Sequence, residues 1–383
     1  MAICFALVAM VAGSVLFHFI SPWRSTPIAS NWQAMDDTLA ITFVITAVFF
    51  VAVNLLVAYM VYRFRHRAGH RAGYQPENAR LERWLIIATS LAIIGLLAPG
   101  LFVYANYVKA PAEALQLEVL GQQWQWRYRF PGAGGKLGRS DTSLVSGTNP
   151  FGLDPRDPVA SDNVLVNNNE VHLPLDRPVK VILRSHDVLH DFYVPQFRAR
   201  MNMVPGMVTS FWFTPTRAGR YEVLCAQLCG VGHFNMRGIV VVEEAAQFQA
   251  CLARQPTFAL AMAGQGTPQP AAGADAAATL LATGQSLAQS RGCTACHSVD
   301  GSSGVGPSWK GLYGKQETLA DGSVVLADEA YLKRSIRDPA AQVVKGYPPI
   351  MPKTELGDDE LAALLAFIES MKATAAAPQP TQK

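Results

Sequence analysis

Two runs of twenty-five residues, 38–62 and 84–108, contain no charged side chain. Each exceeds the ~20 residues an α-helix needs to cross a bilayer. In lipid every backbone N–H and C=O must be satisfied within the segment, which constrains both runs to helices. Composition agrees: charged residues are 16% of the 383, against about 25% in soluble domains. Residues 2–21 form a third apolar stretch without a basic leader or a convincing small-residue cleavage site. It reads as a retained span with a cytoplasmic N-terminus rather than a cleaved signal, with His18 interfacial.

Between the two long runs, Arg63-Phe-Arg65-His-Arg67-Ala-Gly-His-Arg71 packs four arginines into nine residues. Basic loops stay cytoplasmic, so everything after Pro111 lies on the other side. An arginine run also suits nucleic acid, but its place between two spans argues for topology, and no nucleic-acid partner is expected.

Cys225-Ala-Gln-Leu-Cys229-Gly-Val-Gly-His233-Phe-Asn-Met236 brings two thiols, an imidazole and a thioether together. Soft sulfur ligands with imidazole select copper. A mononuclear blue-copper site uses one Cys, whereas two cysteines at this spacing can bridge two ions. His190 supplies a further imidazole. A Cys225–Cys229 disulfide is the competing reading, but it leaves His233 and Met236 unexplained.

This constellation resembles the dinuclear CuA centre of cytochrome c oxidase subunit II. The resemblance implies that Cys225 and Cys229 bridge two copper ions, that His190 and Met236 complete one ion, and that His233 and the Gln227 backbone carbonyl complete the other. The family usually has Glu at the position of Gln227, where the carboxylate often serves a magnesium ion shared with subunit I. A carbonyl ligand survives the change; a carboxylate ligand for magnesium does not.

Cys293-Thr-Ala-Cys296-His297 is the C-x-x-C-H pattern of a covalently attached c-type haem, with His297 as the proximal iron ligand. A thioredoxin-like pair lacks that His. Met351 in Ile350-Met351-Pro352 offers the sixth ligand, with Met371 as its rival, although Met371 sits in the apolar stripe of a closing helix at 358–371. Gly306-Pro307 and Gly311-Leu-Tyr-Gly314 resemble class I cytochrome c domains, which implies an all-α domain over 281–374. Copper and haem use four of the six cysteines; Cys4 and Cys251 are left without a role.

Between membrane and haem motif, residues 115–130 alternate like a half-buried strand. Further strands are read at 162–166, 178–185, 206–214, 219–224 and 238–242. Short strands between Pro and Gly turns predict an all-β, cupredoxin-like domain over 111–255, with the metal ligands in loops at one end. The aperiodic stretch 131–160 reads as an insertion. Residues 256–280, rich in Ala, Gly and Pro, read as a flexible tether, and 375–383 as a disordered tail. A tethered haem domain reaches its acceptor at high effective concentration.

Gly-Gln-Gln-Trp124-Gln-Trp126 resembles the aromatic segment through which cytochrome c delivers electrons in this family, with Trp124 at the point of arrival and Trp126 a packing residue. Arg127 and Arg129 stand where mitochondrial-type relatives place acidic residues, and read as surface charges that repel a basic donor. Glu82 resembles the Glu that opens a proton channel of subunit I. An interfacial Glu paired with Arg83 is the alternative.

The resemblance as a whole implies a multidomain membrane protein with transmembrane helices in 1–110, subunit II of a caa-type oxidase of the bacterial inner membrane. Its implied cofactors are two copper ions and one haem c. Its implied partners are subunits I and III, membrane lipid, and an external donor, either cytochrome c or a quinol–cytochrome c oxidoreductase. Oxygen chemistry would lie in subunit I of this proton-translocating complex. Rivals are a quinol oxidase subunit, which lacks the copper ligands, the CuA subunit of a nitric oxide reductase, and a membrane-anchored copper-delivery protein.

Overall fold

The computed structural model describes residues 2–21, 26–69, 71, 73, 77–263, 276–354 and 356–372. The chain divides into two compact units: residues 1–109 with 196–198, and residues 110–195 with 199–383.

The first unit contains α1 (Ala2–Ile20), α2 (Gln33–Arg63) and α3 (Ala79–Tyr107), each long and apolar enough to cross a membrane. Phe43, Leu91 and Phe102 are among many large apolar side chains left exposed along them, the surface of helices whose solvent is lipid. α1 packs on α2, with the His18 ring 5.1 Å from that of Phe43. Helices α2 and α3 begin before the charge-free runs because polar residues continue the helix into the interface. Asn78 caps α3, its side chain accepting from Leu81 N at 3.1 Å. Part of the arginine connector lies outside the described residues.

In the second unit, β1 (Leu115–Gln122) and β2 (Gln125–Phe130) are followed by the 131–160 segment and the short helix α4 (Pro158–Ser161). Then come β3 (Val164–Val166), β4 (Glu170–Pro174), β5 (Val179–Ser185), β6 (His190–Val194), β7 (Ala199–Met203), β8 (Thr209–Phe213), β9 (Gly219–Cys225) and β10 (Arg237–Glu243). They form two five-stranded sheets, β3-β2-β1-β5-β8 and β4-β10-β9-β6-β7. Trp126 on β2 meets Phe192 on β6 edge-on at 5.4 Å, joining the two sheets in a cupredoxin-like sandwich.

The expected single strand 115–130 is a hairpin: Gln122 pairs with Gln125, which puts Gln123 and Trp124 at the turn. Strands β4, β6 and β7 were not read from the sequence. Arg127 and Arg129 are not surface charges; both are buried. They occupy a central strand, and Arg129 is held by Glu118 (Nε to Oε2 2.7 Å), the Gly138 carbonyl and Asn163. Arg129 is paired as a buried ion requires, whereas Arg127 donates to the Asn167 side chain at 3.3 Å.

The aperiodic segment is folded. Phe151, Leu153 and Ala160 enter a small core with Leu120, Leu165 and Phe258. Asn149 holds its turn, accepting from Leu153 N at 2.9 Å and donating to the Leu153 carbonyl at 2.8 Å. Helices α5 (Ala245–Ala253) and α6 (Phe258–Met262) follow β10. The expected linker 256–280 is therefore structured at both ends. Phe258 is buried on the sandwich, and α7 (Ala276–Ser290) already belongs to the next fold. The middle of the linker and the 375–383 tail lie outside the described residues.

The C-terminal domain adds the hairpin β11 (Gln316–Thr318) and β12 (Val324–Leu326), then α8 (Glu329–Arg337) and α9 (Asp358–Ser370). The expected all-α domain thus carries one small β-hairpin. Helices α7 and α9 cross closely: a Cβ on Gly284 would fall 2.0 Å from the Ala363 carbonyl oxygen. Trp309, Leu312, Leu332, Leu361 and Ile368 contribute to its core.

Candidate metal and haem centres

Strand pairing assembles the side chains read from the sequence as copper donors. β6 pairs with β9 so that Phe192 faces Cys225, which brings His190, the first residue of β6, beside the end of β9. The β9–β10 loop then supplies Gln227, Cys229, His233 and Met236. Both cysteines are free, with their Sγ atoms 3.7 Å apart. His190 Nδ1 lies 3.9 Å and the Gln227 carbonyl 3.2 Å from Cys225 Sγ. His233 Nδ1 lies 3.5 Å and Met236 Sδ 3.8 Å from Cys229 Sγ. All six donors converge, as two sulfur-bridged ions require, and the soft set suits copper.

Neighbouring groups fix the ligands. His190 Nε2 meets Asp187 Oδ1 at 2.7 Å, leaving Nδ1 for a metal. Asp187 also accepts from Gln123 N at 2.8 Å. Burial opposes ionisation of Asp187, but hydrogen bonds from His190, Gln123 and Val188 hold its carboxyl below the ordinary range. In the metal-free pair, the hydrogen bond from Cys229 pulls the Cys225 thiol well below its ordinary range despite burial, with His190 assisting, while Cys229 is pushed up.

The haem motif forms a tight turn after α7. His297 Nδ1 donates to the Pro307 carbonyl at 2.7 Å, leaving Nε2 free, and its ring stacks on Trp309 at 5.2 Å. Burial lowers the His297 pKa, which favours the neutral, ligating imidazole. Gly306 is needed at close quarters: a Cβ there would lie 2.8 Å from His297 Cε1. Cys293, Cys296, His297 and Met351 line one largely apolar cavity with Leu312, Ile336 and Leu364. Two thiols, an imidazole and a thioether on the wall of an apolar cavity fit a haem c. Met371 packs instead against the domain core.

Trp124 touches both regions. Its Nε1 donates to the Cys229 carbonyl at 3.3 Å, and its ring also lines the cavity of the haem motif. Two glycines make room for it: a Cβ on Gly232 would lie 2.3 Å from Trp124 Cδ2, and one on Gly230 3.2 Å from Cζ2. Asn235, within the copper loop, donates to the Ala295 carbonyl, within the haem turn, at 2.8 Å. Arg291 reaches the Gly147 carbonyl of the 131–160 segment at 3.1 Å. Glu82 belongs to the first unit, exposed in the first turn of α3.

Comparison with known proteins decides the family. Residues 115–244 match the cytochrome c oxidase subunit II periplasmic domain, and residues 281–372 match cytochrome c. The alternative cytochrome c oxidase subunit 2 of Bradyrhizobium diazoefficiens is 52% identical over 259 residues, covering 68% of this chain and 94% of that protein. This chain belongs to the cytochrome c oxidase subunit II family. It is a subunit II fused to a C-terminal cytochrome c domain. The subunit II family implies CuA copper and association with subunit I of a haem–copper oxidase, and the cytochrome c domain implies haem c. A further relative, cytochrome c oxidase subunit 2 of Cereibacter sphaeroides, is 28% identical, covering 64% of this chain and 83% of its own. Among solved structures, the periplasmic domain of subunit II from Bradyrhizobium japonicum is similar over 38% of this chain and 95% of that one, at 24% identity and TM-score 0.28.

Sequence reasoning placed the donors but missed the groups that hold them: Asp187, Gln123, Asn235 and the Pro307 carbonyl. Asp187, three residues before His190, was the one with a readable signal.

Proposed function

We propose that this chain is the electron-accepting subunit of a proton-translocating cytochrome c oxidase, spanning a bacterial inner membrane three times with both cofactor domains on the periplasmic side. When bound, a haem c joined by thioethers to Cys293 and Cys296 and a pair of copper ions supply one-electron chemistry, drawing on an external cytochrome c or quinol–cytochrome c oxidoreductase and feeding a haem of subunit I, where oxygen is reduced to water.

The residues of the chain set the path. His297 and Met351 hold the iron, and a Met ligand raises its potential. Cys225 and Cys229 would be shared by the copper pair, with His190, Met236, His233 and the Gln227 carbonyl completing it. The observation that carries the reading is the double position of Trp124, which lines the haem cavity while bonded to the backbone of Cys229. Leu228, Val231 and Phe234 stand exposed on the copper loop, an apolar patch suited to a partner such as subunit I. Glu82, at the start of α3, serves proton uptake into that subunit.

The test is Trp124→Leu in the assembled oxidase. After rapid reduction of haem c, copper reduction should become the slow step while the dinuclear copper resonance persists. A copper pair reduced at the wild-type rate would refute the route. Turnover with oxygen and with nitric oxide, compared on one preparation, identifies the final acceptor.

A further inference from the structure

Cys251 has no part in either cofactor site, yet it is buried beside two other metal-ligating side chains. Val241 of β10 lies opposite His172 of β4, so His172 and Glu243 are diagonal neighbours on one face of the sheet. Helix α5 then folds back and brings Cys251 over them. His172 Nδ1 meets Glu243 Oε1 at 2.8 Å. One donor atom each of His172, Glu243 and Cys251 all lie within 4.8 Å of one another. A tetrahedral ion with bonds of about 2.0–2.3 Å holds its ligands roughly 3.3–3.8 Å apart, so an ion here would replace the direct His172–Glu243 hydrogen bond and part the two groups by about half an ångström or more.

The surroundings are those of a metal site. His172 Nε2 lies 3.3 Å from Glu170 Oε1. This is the outer carboxylate that fixes the ring of a metal-bound histidine with its other nitrogen facing the ion. Glu170 is itself held by Arg220. A cavity of about 680 Å³ opens beside His172 and Cys251, leaving room for a water or small anion as fourth ligand. The whole of β10 separates Glu243 from the copper ligand Met236, roughly 20 Å at the rise of a strand.

We propose that His172, Glu243 and Cys251 form a second, mononuclear metal site that takes a zinc-class divalent cation and pins α5 to the sheet where the chain leaves the sandwich. Cys, His and carboxylate are all zinc ligands, and three of them plus an open position is a familiar zinc arrangement.

The test uses the full-length, copper-loaded, haem-matured protein titrated with cobalt(II) as the zinc-class probe. We expect one equivalent to bind with a thiolate-to-cobalt charge-transfer band, displaced by zinc. Cys251→Ala should abolish the band, and His172→Gln should weaken binding by at least about tenfold, the lower bound for losing even an outer-shell partner. Unchanged copper resonance and haem spectra report that each variant is folded. If Cys251→Ala fails that control, His172→Gln decides by the same titration. A wild-type protein with no charge-transfer band, a band that survives Cys251→Ala, or unchanged affinity in His172→Gln overturns the proposal.

Discussion

Gly232→Ala tests how tightly Trp124 is seated over the copper loop. The new Cβ would lie 2.3 Å from Trp124 Cδ2, 2.5 Å from Cε3 and 2.8 Å from Cγ. Carbon atoms rest about 3.5–4.0 Å apart, so ring or loop must yield by more than about 1 Å. The ring has little freedom: it is 8% exposed and is bounded on the same loop by Gly230, whose φ is +120°. Overpacking of this kind costs about 1–3 kcal/mol. At about 2–4 °C per kcal/mol for a domain of this size, the sandwich should melt several degrees lower. If the ring moves, its bond to the Cys229 carbonyl is lost and electron transfer to copper slows. If the loop moves, His233 shifts and the copper hyperfine pattern changes. Calorimetry, copper resonance and rapid-reduction kinetics on one preparation read all three effects. Gly134→Ala is the control, because a Cβ there meets nothing within 4 Å. A Gly232→Ala protein with wild-type melting, resonance and rate would refute the packing argument.

Met351→Ala should abolish the methionine–iron charge-transfer band and lower the haem midpoint potential, whereas Met371→Ala should leave both in place and only destabilise the domain, as read by redox titration. Arg129→Ala strands Glu118 in the sandwich and should cost about 3–5 kcal/mol in denaturant unfolding, moderated by Arg184, 3.5 Å from Glu118. Asp187→Asn should weaken copper binding by about 10–100-fold, measured by competition with a chelator. In the reduced, copper-free protein with haem attached, ultraviolet thiolate absorbance should show Cys225 ionising below the ordinary thiol range and Cys229 above it; the sign follows because a lowered pKa keeps the thiolate on the alkaline side of it.

The spans were legible because lipid leaves a backbone one choice, and both cofactor motifs were legible because Cys225 to Met236 and Cys293 to His297 each gather most of their donors in one short stretch. What escaped depends on partners far along the chain. Strand β6 reads poorly because His190 and Asp191 interrupt its apolar alternation. Arg127 and Arg129 looked like surface charges because nothing local announces their partners: Asn167 for Arg127, and for Arg129 Glu118, eleven residues away on the paired strand. The 131–160 segment shows no period because it folds around the Asn149 side chain rather than a helical or extended pattern. Trp124 could be matched by position, but its place at a hairpin turn became visible only through the register of β1 and β2.

The hydrogen bond from Asn235 to Ala295 ties a residue between two copper ligands to a residue between two haem-binding thiols. Ordering a backbone residue costs about 1–2 kcal/mol, and a loop already held by its neighbour has less of that entropy left to lose. If these residues hold copper and haem as proposed, filling one centre would order the loop of the other, so maturation of the subunit would be cooperative and damage to one loop would be registered as poor occupancy at both.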